Sequence, residues 1–392
     1  MEKTQTRQVI IPAVLPALLL FFPFFEPGGI SFIKKPDLIF TLLAFASFAV
    51  CFAAYLINGL YSKIFIAVLV WRIYLLADGL VQRKSVDKTF ILRSVLIIGF
   101  ITGFELMARY NAIAALEALY VILAANLTLN LLTCFTGGII TLNSTPYFWN
   151  GMRTRFTDCV IPAVMLSFLI SLKRRKRLVT LLSIFTVAVS AVQLAAEWVA
   201  TGVLALALLL LFVILFRRRQ RSPGWPVFVP WLAGFLIVFM RIQSWFSFII
   251  VDLLHKDLSF HGRLVIWDSA IEEIRQSVLF GAGEAGNGGV AGVWWSDRLV
   301  PAHNDLLQHL YDGGTAGAIL FAVILLICVR KLSRYRNSET AFVLMAAFLA
   351  AGTQAIAEVP HYYIYFYILP AVVSAMDYIE TQKEERQISL YC

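Results

Sequence analysis

Long apolar runs follow one another along most of the chain, each near the roughly 20 residues that cross a bilayer as a helix. On that rule, spans fall at about 9–25, 38–60, 64–82, 90–108, 112–135, 158–172, 178–196, 199–216, 228–251, 315–329, 340–357 and 361–377. Pro12, Pro16 and Pro23 bend the first span, and Arg72 and Asp78 interrupt the third. Glu197 and Trp198 turn the seventh into the eighth as a tight hairpin. The pattern predicts an all-α, polytopic membrane protein with about 12 transmembrane helices. Residues 1–251 hold about nine of the spans. Residues 252–314 form a large outward-facing loop with short surface helices, and 315–392 hold the last three spans and a cytoplasmic tail.

Composition agrees with this picture. Of 392 residues, 60% are hydrophobic and 15% charged, against about a quarter charged in a soluble domain. Such a chain cannot cover itself with polar surface, so its solvent is lipid. The formal charge of +9 does not point to nucleic acid. Its basic residues gather in short runs between apolar spans, at 173–177 (KRRKR), 217–221 (RRRQR) and 330–336 (RKLSRYR). That is the positive-inside pattern, and it predicts these runs and both termini on the cytoplasmic side. The segments 136–157, 252–314 and 358–361 then face outward together, and the basic connection 83–88 (RKSVDK) is an exception on the outward side. The start is read as an uncleaved first span, because no small-residue cleavage site follows FFPFFEP. The five cysteines show no CxxC spacing and predict neither disulfide nor metal.

The stretch 259–317 is the longest without a membrane-length apolar run, and it holds His261, Arg263, Glu284 and His303. After Arg263, Leu264, Trp267, Ile271, Ile274 and Val278 recur at spacings of three and four. That spacing predicts a short helix lying on the membrane surface with its apolar face down. Gly281 and Gly283 end it, Trp294 and Trp295 suit the headgroup interface, and His303-Asn304 opens a second short amphipathic turn. His303 and His309, six apart, match metal-ligand spacing poorly, so no metal is assigned.

The ordered set Gly262-Arg263, Trp267, Gly281/Gly283, His303-Asn304, Leu307 and Gly314/Gly317 resembles the O-antigen ligase family, which is related to Wzy-type polysaccharide polymerases. The resemblance covers about 60 residues. It implies an inverting glycosyltransferase of the bacterial inner membrane, independent of metal, nucleotide and other cofactors. The donor would be an undecaprenyl-diphosphate-linked glycan. The acceptor would be a glycan or glycolipid such as the lipid A core, and the active loop would face the periplasm.

In that chemistry a lipid diphosphate leaves, and an arginine fork stabilises the developing charge, a role that falls to Arg263. The acceptor hydroxyl needs a base or an orienting group, which His303 supplies. Arg153, Arg155, Asn304, Glu358 and His361 are candidate substrate-binding residues on the same side. One departure stands out. Relatives carry an arginine at the start of a span where VATGVLALALLL places Ala200, so Arg153 or Arg155 would take its part. Two other readings remain: a polymerase of repeat units, and a transporter of lipid-linked sugars using Arg72, Asp78, Arg93 and Glu105 within the spans.

Overall fold

In the computed structural model, residues 13–59, 61–142, 144–216, 224–246, 262–284, 288–293 and 296–381 are described. Outside them lie the beginning of the first span, the 217–221 run, His261, the Trp294–Trp295 pair and the C-terminal tail.

The protein is a bundle of apolar helices. In chain order they are α1 (Val14–Phe21), α2 (Lys34–Ile57), α3 (Lys63–Gln82), α4 (Lys88–Phe135), α5 (Phe156–Arg174), α6 (Arg177–Ala196), α7 (Ala200–Phe216), α8 (Val229–Met240), α9 (Arg263–Gln276), α10 (Asp305–Arg334), α11 (Glu339–Ala355) and α12 (Ile364–Ser374). Among the described residues six helices are long and apolar enough to cross a membrane, and five further apolar helices are shorter. The bundle turns apolar side chains outward as well as inward. Leu38, Ile39 and Leu42 of α2, and Leu178, Ile184 and Phe185 of α6, are all exposed. A soluble surface of this kind would aggregate; in lipid it is the ordinary outer face. This is a multi-pass membrane protein.

Polar side chains mark where helices begin. Ser62, Asp87, Asn304 and Ser338 each accept a backbone N–H from the first turn that follows. Asn111 does the same inside α4: its φ/ψ of −157°/95° breaks the helix, and its Oδ1 accepts Ala114 N at 3.0 Å. A single run of 48 residues would be about 72 Å long, more than twice a bilayer core. The break therefore divides α4 into two membrane-length arms, where the sequence pattern placed its fourth and fifth spans.

Two ends of the bundle are distinguishable by their contacts. At one, Gly29 N donates to Trp149 O, Arg83 Nε donates to the Gly283 carbonyl at 2.7 Å, and Asn304 Nδ2 donates to the Ile356 carbonyl. The basic connection 83–88, an anomaly for orientation, thus supplies an arginine that ties down the glycine-rich stretch. At the other end, Lys173 and Ser338 both bond the Glu380 carboxylate, which brings the 173–177 and 330–336 runs together.

The segment between α8 and α10 departs from the expected pair of surface helices. The buried stripe of α9 is Ile266, Trp267, Ala270 and Ile274, while Val278, at 54% exposure, lies beyond the helix end. The stripe packs on Val238, Ala302, Leu307 and Tyr311, so its apolar face is taken up by a second protein core. A short hairpin, β1 (Ala291–Val293) with β2 (Ser296–Val300), fills the space before His303. A further two-stranded turn pairs Ile140–Leu142 with Thr145–Tyr147.

Candidate active site

α10 carries the next restriction on this region. Gly314 (φ +61°, ψ −163°) breaks it after its first nine residues, so a surface turn and a span share one run. A Cβ at Gly314 would stand 2.3 Å from the Leu279 carbonyl, and one at Gly281 (φ +74°) 2.5 Å from the Tyr311 oxygen. Only glycine allows backbone to approach backbone this closely while holding φ positive. Across that contact Thr315 N donates to Val278 O, and Ala282 N to Tyr311 O. The motif glycines therefore lock the end of α9 against the bend in α10.

Trp267 continues the same fixing. Its Nε1 donates to Ala302 O at 2.9 Å, and Ala302 N donates to Gln308 Oε1. The next residue, His303, is held at φ +48°, a conformation that a side-chain-bearing residue adopts at a cost of about 1–3 kcal/mol. Strain of this kind persists where the neighbours on both sides are fixed, as they are here.

Glu358 is the centre of the site. It lies in the turn after α11, with its side chain 13% exposed, between Arg263 Nη2 at 3.3 Å and His303 Nδ1 at 3.4 Å. One carboxylate thus bridges the two residues that head the sequence motif. Burial pushes its carboxyl up, but the His303 hydrogen bond and charge, with the charges of Arg263 and Arg155, outweigh this and hold it below its ordinary range. A group whose folded value is depressed stabilises the fold above its ordinary titration range, and that support is lost as pH falls through the lowered value. Thermal unfolding of the purified protein should therefore show an acid-side loss of stability that shrinks in Glu358→Gln. An acid profile identical in the two proteins would contradict this.

Arg155 stands beside this pair. It bridges to Asp158 at 3.0 Å, covers the Tyr363 ring, and shares Asp158 with Gln354. Arg153 is exposed and makes no ion pair among the described residues. Gly202, two residues past Ala200, packs so closely on α5 that a Cβ there would sit 2.4 Å from Thr157 Oγ1. The start of α7, where relatives would place an arginine, thus adjoins the start of α5, which follows Arg155.

The fold engages Asn304 and His361 in other contacts. Asn304 is 1% exposed; its Oδ1 caps α10 through Leu307 N and its Nδ2 bonds Ile356 O. His361 is fully buried, and its Nδ1 meets Asp305 Oδ1 at 2.6 Å. Both residues tie the head of α10, next to His303, to the turn that carries Glu358.

Asp305, His309 and His361 each offer a ligand atom within 4.8 Å of the others, and Asp305 and His309 share a helix face by their spacing of four. Sequence reading passed over this cluster because it paired His309 with His303. The two imidazoles stack at 3.9 Å with planes 25° apart. Both face the Asp305 carboxylate, His361 Nδ1 at 2.6 Å from Oδ1 and His309 Nε2 at 3.5 Å from Oδ2. The arrangement suits a hydrogen-bonded clamp.

Glu284 was visible in the sequence but had no partner there. It is 5% exposed and accepts from Arg93 Nη1 at 2.6 Å and Arg72 Nη1 at 3.3 Å. The signal was present as two arginines inside apolar spans, which require a buried acid.

No curated protein matches this chain. Residues 194–322 match the family model described as Wzy_C, O-antigen ligase. The match contains Arg263, Trp267, the locking glycines and the His303-Asn304 pair, while Arg155, Glu358 and His361 come to the site from outside it. On that segment, about a third of the chain, which carries every element of the ordered motif, the protein is similar to the O-antigen ligase family.

Proposed function

We propose that this protein transfers a glycan from an undecaprenyl-diphosphate carrier to an acceptor hydroxyl, in the manner of a ligase, at the outward face of the inner membrane. The observation that carries the reading is the bridge from Glu358 to both Arg263 and His303. In this scheme Arg263, with Arg155 and the exposed Arg153, takes the diphosphate as its bond to the sugar breaks. Paired guanidinium–phosphate contacts stabilise that leaving charge. His303 receives the proton of the attacking hydroxyl on one ring nitrogen, while Glu358 faces the other. A carboxylate so placed fixes the tautomer and offsets the positive charge that forms. Arg155 stands in for the arginine that Ala200 replaces, because the starts of α5 and α7 pack together. In this reading the chain has twelve spans, the α4 break making two of them, and this end of the bundle lies opposite the basic runs, on the periplasmic side that the positive-inside pattern predicts.

Replacing Arg263 by alanine should lower kcat/KM for transfer by about 10²-fold, the scale of one lost charge-stabilising donor. The assay is transfer from a purified polyprenyl-diphosphate glycan in detergent. Undiminished transfer by a folded variant would sink the assignment. The polymerase reading shares this donor chemistry. In a deletion strain, long chains stranded on the carrier support ligation, and short unpolymerised units support polymerisation. The transporter reading loses ground because Arg72 and Arg93 are engaged by Glu284, and Glu105 by two hydroxyls.

A further inference from the structure

At the opposite end of the bundle lies a cavity of about 490 Å³, lined by Lys63, Glu105, Arg330, Lys331 and Arg334 among others. It is unrelated to the transfer chemistry, and its charges are unevenly satisfied. Lys331 is occupied, with Asp377 Oδ2 at 2.6 Å and the Ser374 carbonyl at 2.7 Å. Lys63, Arg330 and Arg334 make no hydrogen bond or ion pair among the described residues; Arg334 only lies within electrostatic reach of Asp377. Glu105 is the reverse case. It is 6% exposed, and its oxygens accept from Tyr55 OH at 2.5 Å and Ser62 Oγ at 2.6 Å. Those hydroxyls take one lone pair on each oxygen and bring no positive charge, and Lys331, the cation within electrostatic reach, is already bonded to Asp377. A carboxylate inside an apolar span is costly without a cation.

A ligand that carries both an ammonium and a phosphate answers both halves of this arrangement. We propose that the cavity holds the phosphoethanolamine headgroup of a bilayer lipid, with its ammonium on Glu105 and its phosphate among Lys63, Arg330 and Arg334. The volume is that of a small-molecule pocket. Its depth suits a headgroup, because Lys63 opens α3 and Arg334 closes α10. Apolar neighbours are placed for acyl chains: Ile64 and Ile327 line the cavity, and Ile57, at 85% exposure, lies just before its rim at Gly59. A glycerol headgroup has no cation for Glu105. A choline headgroup has one, but its quaternary nitrogen has no N–H to donate.

The test is native mass spectrometry of the full-length protein in detergent. It is titrated with phosphatidylethanolamine, phosphatidylglycerol and phosphatidylcholine of the same acyl chains, and with soluble O-phosphoethanolamine. Phosphatidylethanolamine should bind about tenfold tighter than the other two lipids, the scale of one charge-assisted hydrogen bond. Glu105→Gln should erase that preference. Arg330→Gln/Arg334→Gln, which alters exposed side chains only, should weaken phosphatidylethanolamine and phosphatidylglycerol alike. Equal binding of the three lipids overturns the proposal, as does a preference that survives in Glu105→Gln or binding unchanged in the double variant. Soluble O-phosphoethanolamine binding as tightly as the lipid would overturn the assignment to a membrane headgroup.

Discussion

His303→Ala is expected to reduce glycan transfer by about 10²–10⁴-fold, the range of a lost general base, in a protein that still inserts and folds. The imidazole is 29% exposed, so truncating it opens no large core cavity. Glu358 is not left alone in the variant, since Arg263 remains at 3.3 Å and Arg155 still acts on it. The fixed points around His303 also survive, because they belong to its neighbours: Trp267 holds Ala302 and Asn304 caps α10. The loss should therefore fall on kcat more than on donor KM, as it does when a group acts only in the transition state. Glu358→Gln should cost less, because it removes the charge behind the imidazole and leaves the imidazole in place. Initial rates with purified donor, set beside thermal unfolding of the same preparations, measure both. A folded His303→Ala enzyme within a few-fold of wild type would remove His303 from the reaction.

Much of this region was legible in the chain because its signals are local. Span-length apolar runs, the break near Asn111 and the caps at helix starts are each written in a few consecutive residues. The order of Arg263, the glycines and His303 is also a matter of neighbours. What could not be read is what depends on long-range approach. Glu358 lies 55 residues beyond His303, and only the docking of the α11–α12 turn on the head of α10 brings them together. The glycines looked like a helix stop, since nothing in their spacing says that another backbone will pass within van der Waals contact. The helical period after Arg263 was correct, but the buried stripe lies one position around from the expected one, at Ile266 and Ala270. The cause is a partner, the protein's own second core, that periodicity alone does not contain. Asn304 and His361 are candidate substrate-binding residues in the sequence, and the fold engages both as ties between the head of α10 and the turn after α11. Strands of three to five residues carry too little alternation to be recognised.

Glu284→Ala should produce the largest loss of stability. Arg72 is 2% exposed, and the Glu284 side chain that meets it is 1% exposed. Breaking such a pair by removing one partner leaves a charge in a low-dielectric interior, at a cost of about 3–5 kcal/mol. Arg72 keeps Ser94 Oγ at 2.8 and 2.9 Å and the face of Phe90, but these contacts supply no negative charge. Arg93, at 12% exposure, loses the same carboxylate while keeping its place over the Tyr362 ring. The damage should spread to the glycine-rich stretch. Glu284 follows Gly283, whose carbonyl takes Arg83, so the acid and that backbone contact together pin the stretch to α3 and α4. The charge argument separates from a simple packing loss in the double variant Glu284→Ala/Arg72→Met, which removes the stranded cation and keeps an apolar side chain of similar length. If uncompensated charge is the cause, the double variant should recover most of the stability lost by the single one, despite carrying one more substitution. Thermal unfolding in detergent reads both. A single variant that melts within about 2 °C of wild type, less than 1 kcal/mol would shift it, would mean that Glu284 does not hold these arginines.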